Sequence, residues 1–155
     1  MKRVAGRQSA GLLLFRHRGE GTQVLLGHPG GPSWHNKDLG SWSIPKGQVA
    51  DGETPLTATE REFAEETGYW PCGKFLPLGE ARQPGGKLVH VWALEDDWDA
   101  SLLKSNIFEM EWPPRSGRRQ SFSELDRAEW FDIAEAGQKI LKGQTVFLTR
   151  LLAFL

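Results

Sequence analysis

Three glutamates, Glu62, Glu65 and Glu66, crowd into residues 61–67, with Arg61 just before them. On a helical wheel at about 100° per residue, Glu65 lies roughly −60° and Glu66 roughly +40° from Glu62, so the three carboxylates share one face. Like charges so spaced cost a bare helix about a few tenths of a kcal/mol per pair. Divalent cations would offset that cost: hard carboxylate oxygens suit Mg²⁺ or Mn²⁺, with substrate phosphates and water completing the shell. Arg61 stands four residues before Glu65 and can hold its carboxylate by a charge-assisted hydrogen bond. Glu53 falls on the far side of the wheel, on the incoming loop or first turn, where an orienting role is expected. The helix alone would also suit a solvated face. Gly47, Glu53 and Gly68 at fixed offsets weigh toward chemistry.

Those carboxylates need a helix held against a core. Pro55 suits a first helical turn, where its missing N–H has no partner to lose, and Thr54 is placed to cap it. Gly68 supplies a left-handed residue at the far end, so the spacing predicts a helix from Pro55 to about Thr67. Ala58, one turn before Glu62, is small enough to let a phosphate approach, while Leu56 and Phe63 are expected to form the apolar stripe against a sheet. Upstream, residues 11–15 and 23–26 are apolar runs separated by a glycine-bearing gap, which reads as a hairpin. A loop over 28–40 carries Gly30, Gly31, Pro32, Trp34, His35 and Lys37, and a short strand over 42–46 follows. Downstream, strands are expected over 75–78, 87–94 and 107–112, then a polar basic loop over 115–123. Two helices are expected near 133–141 and 144–154, after Trp130 and Phe131. A single mixed α/β domain, 1–155, is the economical expectation.

With 39% hydrophobic and 25% charged residues, the chain has the composition of a folded protein, and 155 residues suffice for a real core. A formal net charge of −1 argues against binding long nucleic acid but leaves room for a local basic site that holds a nucleotide. The single cysteine, Cys72, cannot form an intramolecular disulfide or a zinc cluster, so a reducing compartment is expected. The apolar run 12–15 behind Lys2, Arg3 and Arg7 is too short for a signal-peptide core. No stretch reaches the ~18 apolar residues of a membrane span. The expected location is cytoplasmic, and the expected partner is a small molecule rather than a membrane.

Residues 47–69 read G, five residues, E, seven residues, R-E-apolar-x-E-E-x-G-apolar. This pattern resembles the Nudix box, the signature of Nudix hydrolases, at every specified position. The resemblance implies an α/β/α sandwich with a mixed β-sheet. It also implies an enzyme that splits a nucleoside diphosphate linked to another group, using water and Mg²⁺ or Mn²⁺. Carried over position by position, it implies Glu62, Glu65 and Glu66 as metal ligands, with the carbonyl of Gly47 a further one. Arg61 would orient a glutamate and Glu53 would support the loop. The general base is Glu66 or Glu62 inside the box, or Glu124 outside it, since family members often carry an acidic residue shortly before a Trp-Phe-like pair. Glu124 reads equally well as a plain helix-start or loop acid.

Lys46 directly precedes Gly47 and is a candidate phosphate contact. Pro45-Lys46-Gly47 is similar to the entry found in hydrolases of dinucleoside polyphosphates and diphosphoinositol polyphosphates; ADP-ribose enzymes more often place a small residue there. Trp112, Arg115 and Arg118 stand in the run W-P-P-R-S-G-R-R and could clamp a base and a phosphate chain, by stacking and bidentate hydrogen bonds. The alternative is a solvated basic loop. Trp34, His35 and Lys37 could form the opposite wall, and Trp92 and Trp130 are expected to pack on the sheet. The tyrosine that diadenosine-type enzymes often carry downstream of the box is missing, as is the coenzyme A marker upstream. Pro84 lies roughly where ADP-ribose pyrophosphatases place a proline, but Gln83-Pro84-Gly85-Gly86 reads as a hairpin turn. The expectation is a divalent-metal-dependent pyrophosphohydrolase of a nucleoside triphosphate or dinucleoside polyphosphate. ADP-ribose or nucleotide-sugar cleavage stands behind it, as does, in a different class, a non-catalytic nucleotide-binding sensor on the same fold.

Overall fold

An apolar run without alternation, like residues 12–15, is the pattern of a strand covered on both faces. The computed structural model, which describes residues 8–155, supplies both covers. In chain order the elements are β1 (Gln8–Arg18), β2 (Gly21–Pro29), β3 (Lys46–Gln48), α1 (Pro55–Thr67), β4 (Leu76–Arg82), β5 (Leu88–Glu95), β6 (Ile107–Glu111), β7 (Arg119–Ser123), β8 (Leu125–Asp132), α2 (Ile133–Lys139) and α3 (Thr145–Phe154). The main sheet runs β4–β5–β1–β2–β8, with β3 joined to the start of β1. β1 and β5 are parallel and the other neighbours antiparallel, so the sheet is mixed. Leu12, Leu14, Leu25 and Leu94 pack with Phe63 of α1 on one face. Leu13, Phe15, Val24 and Leu26 pack on the other with Ala136 of α2 and Phe147, Leu148 and Leu151 of α3. The fold is an α/β/α sandwich.

Several expectations change in detail. The hairpin is longer, turning through Gly19 at φ +60° and pairing Arg18 with Gly21. Of the strand expected over 42–46, residues 42 and 43 make two isolated bridges, Gly27 with Ser43 and Trp42 with Ile140, and Lys46 opens β3. Residues 119–123 of the expected loop form β7, which pairs with β6 in a separate two-stranded sheet. Backbone pairing carries that hairpin, helped by the contacts of Phe108 with Phe122 and of Glu109 with Arg119, and no face of it is fully buried, so R-Q-S-F-S carries no apolar alternation. β8 has no counterpart in the sequence reading, because its buried residues Leu125, Ala128 and Phe131 stand three apart and resemble a helical stripe. Along α1, Phe63 anchors as expected but Leu56 is exposed. Ala58 and Thr59 are fully buried instead, so Ala58 is packed against the sheet and closed to any phosphate. Cys72 is exposed. Lys2, Arg3 and Arg7 lie outside the described residues, among which no helix is long and apolar enough to cross a membrane.

Candidate active site

The carboxylate face is built from both ends of α1. Thr54 accepts from the Thr57 N–H at 3.2 Å, and Gly68, at φ +81°, donates its N–H to the Ala64 carbonyl at 2.8 Å. Such a cap and a left-handed C-terminal glycine satisfy backbone groups the helix leaves orphaned. Gly47 pairs with Ala10 of β1 and lies directly beneath the helix, where a Cβ would sit inside the Glu62 carboxyl group. Gly47→Ala is therefore expected to displace Glu62 and to lower turnover by about 10²-fold or more, the cost of misplacing a reacting geometry by about 1 Å. Steady-state kinetics beside a thermal melt would separate that loss from unfolding.

Arg61 is the hub of the face. Its Nε and Nη2 donate to the two oxygens of Glu53 at 2.8 and 2.9 Å, a bidentate pair. Nη1 reaches Glu62 at 3.0 Å and Glu65 at 3.2 Å, and Nη2 also donates to the Gln48 carbonyl at 3.0 Å. Glu53 accepts in addition from the Ala50 N–H at 3.0 Å. One guanidinium thus ties the incoming loop, β3 and two helix carboxylates together. The Arg61 guanidinium and the Ala50 N–H hold the Glu53 carboxyl at about 2, and its carboxylate neighbours push Arg61 further up.

Glu66 is in the opposite condition. Burial, then the charges of Glu62 and Glu124, push its carboxyl up to about 8 against the opposing pull of Lys46, whose backbone N–H donates to it. Burial also raises Glu62, and burial followed by the charge of Lys87 lowers Lys46. In the unfolded chain Glu66 titrates near ~4.3, so between there and about 8 the folded metal-free protein binds the extra proton and its stability falls as pH rises. The metal-free protein is accordingly expected to be less stable at pH 8.5 than at pH 5.5, by on the order of 1 kcal/mol or more, with the slope removed in Glu66→Gln. Glu53 works the other way: its contribution is present above its unfolded value and lost as pH falls toward about 2. Denaturant titrations in EDTA at several pH values would check both signs.

A relay of backbone bonds carries Glu124 to this face. The Asn106 N–H donates to the Glu65 carbonyl, the Glu124 N–H to the Asn106 carbonyl, and the Gly30 N–H to the Glu124 carbonyl, each at 2.9 Å. Gly30 has no room for a side chain, since a Cβ there would strike the Ser123 carbonyl. Two clefts open beside the relay. The larger, about 530 Å³, brings Trp112 together with His35, Phe122 and Asp126. The smaller, about 210 Å³, brings Glu124 together with Trp34, Phe108 and Met110. Trp34 and His35 thus form a wall opposite the β6–β7 hairpin, while Lys37 folds back over the Trp34 ring at 5.6 Å. Arg115, at φ +61°, and Arg118 are exposed in the turn between β6 and β7 and line neither cleft. Trp92 and Trp130 pack against the α1-side core. The sequence reading passes over Asp126, His28 and Phe122. The available signal is His28, a polar residue continuing the inward series Val24, Leu26 along β2.

Among the described residues, no three Asp, Glu, His or Cys side chains converge tightly enough to enclose an ion by themselves. That arrangement still fits Mg²⁺, which keeps several waters and is held by one or two carboxylates plus substrate phosphates rather than by an all-protein cage. Burial is the larger cause of the raised Glu66 carboxyl, and the repulsion from Glu62 that adds to it is what a cation between the two would relieve.

The family model of the NUDIX domain matches residues 6–151. Among curated proteins, an RNA pyrophosphohydrolase of Bartonella henselae is 35% identical over 82% of this chain and 76% of its own length. An 8-oxo-(d)GTP phosphatase of Mycolicibacterium smegmatis is 32% identical over 69% of this chain, which spans only 34% of that relative. Among solved structures, a C. elegans Ap4A hydrolase binary complex superposes with a TM-score of 0.62 at 22% identity, covering 95% of this chain and 96% of the other, a likeness of fold alone. The chain belongs to the Nudix family. It is a hydrolase acting on phosphorus-containing acid anhydrides.

Proposed function

We propose that this chain is a divalent-metal-dependent pyrophosphohydrolase of a nucleoside 5′-polyphosphate, a triphosphate or a dinucleoside polyphosphate, acting as one domain. The observation that carries the reading is the packing of Glu62 over Gly47, with Glu66 within charge reach of Glu62, Lys46 and Glu124, and an aromatic cleft of about 530 Å³ beside the backbone relay that holds Glu124. Names borne by its relatives, an RNA pyrophosphohydrolase and an 8-oxo-(d)GTP phosphatase, point to substrates that carry such a polyphosphate.

Glu62, Glu65, Glu66 and the Gly47 carbonyl would hold Mg²⁺ or Mn²⁺. Bound there, the ion would neutralise polyphosphate charge, acidify a water and stabilise the leaving phosphate oxygen. The chain's own residues do the rest. Lys46 contacts a phosphate oxygen, and Arg61, braced by Glu53, keeps the Glu62 and Glu65 carboxylates aimed. Water attacks phosphorus, a P–O–P bond breaks, and a carboxylate takes the water's proton. Glu66 is the first candidate for the base, since it lies within charge reach of Glu62, Lys46 and Glu124 on the face where the water would be held. Glu124, on its backbone relay, is the second candidate.

The test is a panel of nucleoside triphosphates, oxidised triphosphates, dinucleoside polyphosphates, ADP-ribose and nucleotide sugars, incubated with Mg²⁺ or Mn²⁺ and resolved by ion exchange. Cleavage confined to the polyphosphates supports the reading. Cleavage of ADP-ribose or nucleotide sugars instead moves the substrate class, and binding without cleavage makes the chain a sensor. On the same panel, Arg115→Ala with Arg118→Ala reports whether the turn between β6 and β7 closes onto the phosphate chain. A raised KM places it there, and unchanged kinetics leaves it solvated.

A further inference from the structure

Asp126 is the one carboxylate lining the larger cleft, and it does not move freely. His28, fully buried in β2, lies with Nδ1 2.9 Å from Asp126 Oδ1 and Nε2 2.6 Å from the Lys37 carbonyl. The Lys37 carbonyl and an ionised Asp126 both only accept, so the ring donates from both nitrogens, Nε2–H to the carbonyl and Nδ1–H to Asp126, and is fixed; Trp42 packs against it edge-on at 5.0 Å between centroids. A buried imidazole braced at both nitrogens is an expensive way to place a surface carboxylate. It leaves Asp126 partly exposed to the cleft, with its second oxygen uncommitted to His28. The walls beside it are the aromatic rings of Trp112 and Phe122.

An aromatic-lined cleft with a fixed, acceptor-only carboxylate in its wall complements a heteroaromatic ring that presents two adjacent N–H donors. Guanine does so through N1–H and its 2-amino group. Adenine and cytosine each present one amino group beside an acceptor nitrogen, which a carboxylate repels, and uracil presents one N–H between two carbonyls. We propose that the larger cleft is a guanine-selective base site, with Asp126 its specificity-determining residue and His28 the residue that positions it. The substrate would then be a guanine nucleoside polyphosphate, its phosphates directed past Glu124, two residues along the chain, toward α1. This rests on the nucleotide hydrolase reading above.

The experiment compares kcat/KM for GTP, ITP, ATP and CTP in Mg²⁺, for wild type, Asp126→Asn and Asp126→Ala. In parallel, titration calorimetry measures GDP and ADP binding in EDTA. A preference for GTP over ATP of at least about 10-fold is expected, since a site built to hydrogen-bond a substrate group rejects analogues that leave it unpaired. ITP, which lacks only the 2-amino group, should fall between. Both variants should bring the GTP/ATP ratio toward one, with the isosteric Asn retaining the melting temperature. Equal GTP and ATP efficiencies in wild type, or a ratio untouched by both substitutions, overturns the base site while leaving the hydrolase in place. If no triphosphate is cleaved, the hydrolase reading fails and calorimetry decides separately: tighter GDP than ADP binding, lost in Asp126→Asn, supports the site, and no preference removes it.

Discussion

Glu66→Gln is expected to lower turnover of a nucleoside polyphosphate by about 10³-fold or more while leaving the fold intact, the scale of losing both a metal ligand and a proton acceptor. The substitution preserves shape and the acceptor oxygen that receives the Lys46 N–H, so the β3–α1 junction has no steric reason to move. It removes a group whose ionisation is opposed by burial and by Glu62 and Glu124. Loss of activity should therefore come with unchanged or raised stability above pH 8 in EDTA. That pairing separates a chemical role from a structural one, because a residue needed only for packing would lose both together. Near-normal turnover in Glu66→Gln and in Glu65→Gln would remove the metal-site assignment.

Arg61→Ala is the second large effect, and it should cost activity and stability at once. Truncation strips Glu53 of both its bidentate bonds and removes the Arg61 bonds to Glu62, Glu65 and the Gln48 carbonyl. Glu53 keeps only the Ala50 N–H, in a setting where its side chain is largely covered. Removing one partner of such a covered pair strands the other, and a loss of about 2–4 kcal/mol is expected. Turnover should fall by about 10²-fold or more as the carboxylates lose their aim. Arg61→Lys restores the charge but cannot reproduce the planar fork, so rescue should be partial. Full rescue by lysine would reduce Arg61 to a source of positive charge. Urea unfolding and kinetics on the same preparations distinguish these outcomes.

What could be read from the sequence was the part fixed by local rules. The α1 helix, its Thr54 cap, its Gly68 terminus and the carboxylate face follow from spacing within residues 47–69. The apolar runs 11–15 and 23–26 read as a hairpin, and the structure pairs them as β1 and β2, with α1 on one side and α2 and α3 on the other. Three-dimensional pairing decided what spacing could not. Which side of α1 meets the sheet depends on where β1 and β3 lie, so Ala58 went under the helix and Leu56 out to solvent. β7 exists only because β6 pairs with it, and β8 hides its strand behind a spacing of three. The meeting of His28 with Asp126 spans 98 residues and is invisible until β2 and β8 are laid side by side. Trp112 and His35 were legible as aromatics on two loops, and the fold supplied the fact that they face one cleft. Arg115 and Arg118 were legible as charges, and the turn between β6 and β7 holds them away from it.

The most direct measurement is turnover of a nucleoside triphosphate by one preparation stripped with EDTA and then titrated with Mg²⁺, run beside Glu66→Gln. The account predicts no cleavage after stripping, full recovery as Mg²⁺ is added, and no recovery in the variant at any Mg²⁺ concentration. Cleavage that survives stripping, or a Glu66→Gln protein that recovers with Mg²⁺ as wild type does, would contradict the placement of the chemistry on the Glu62–Glu66 face.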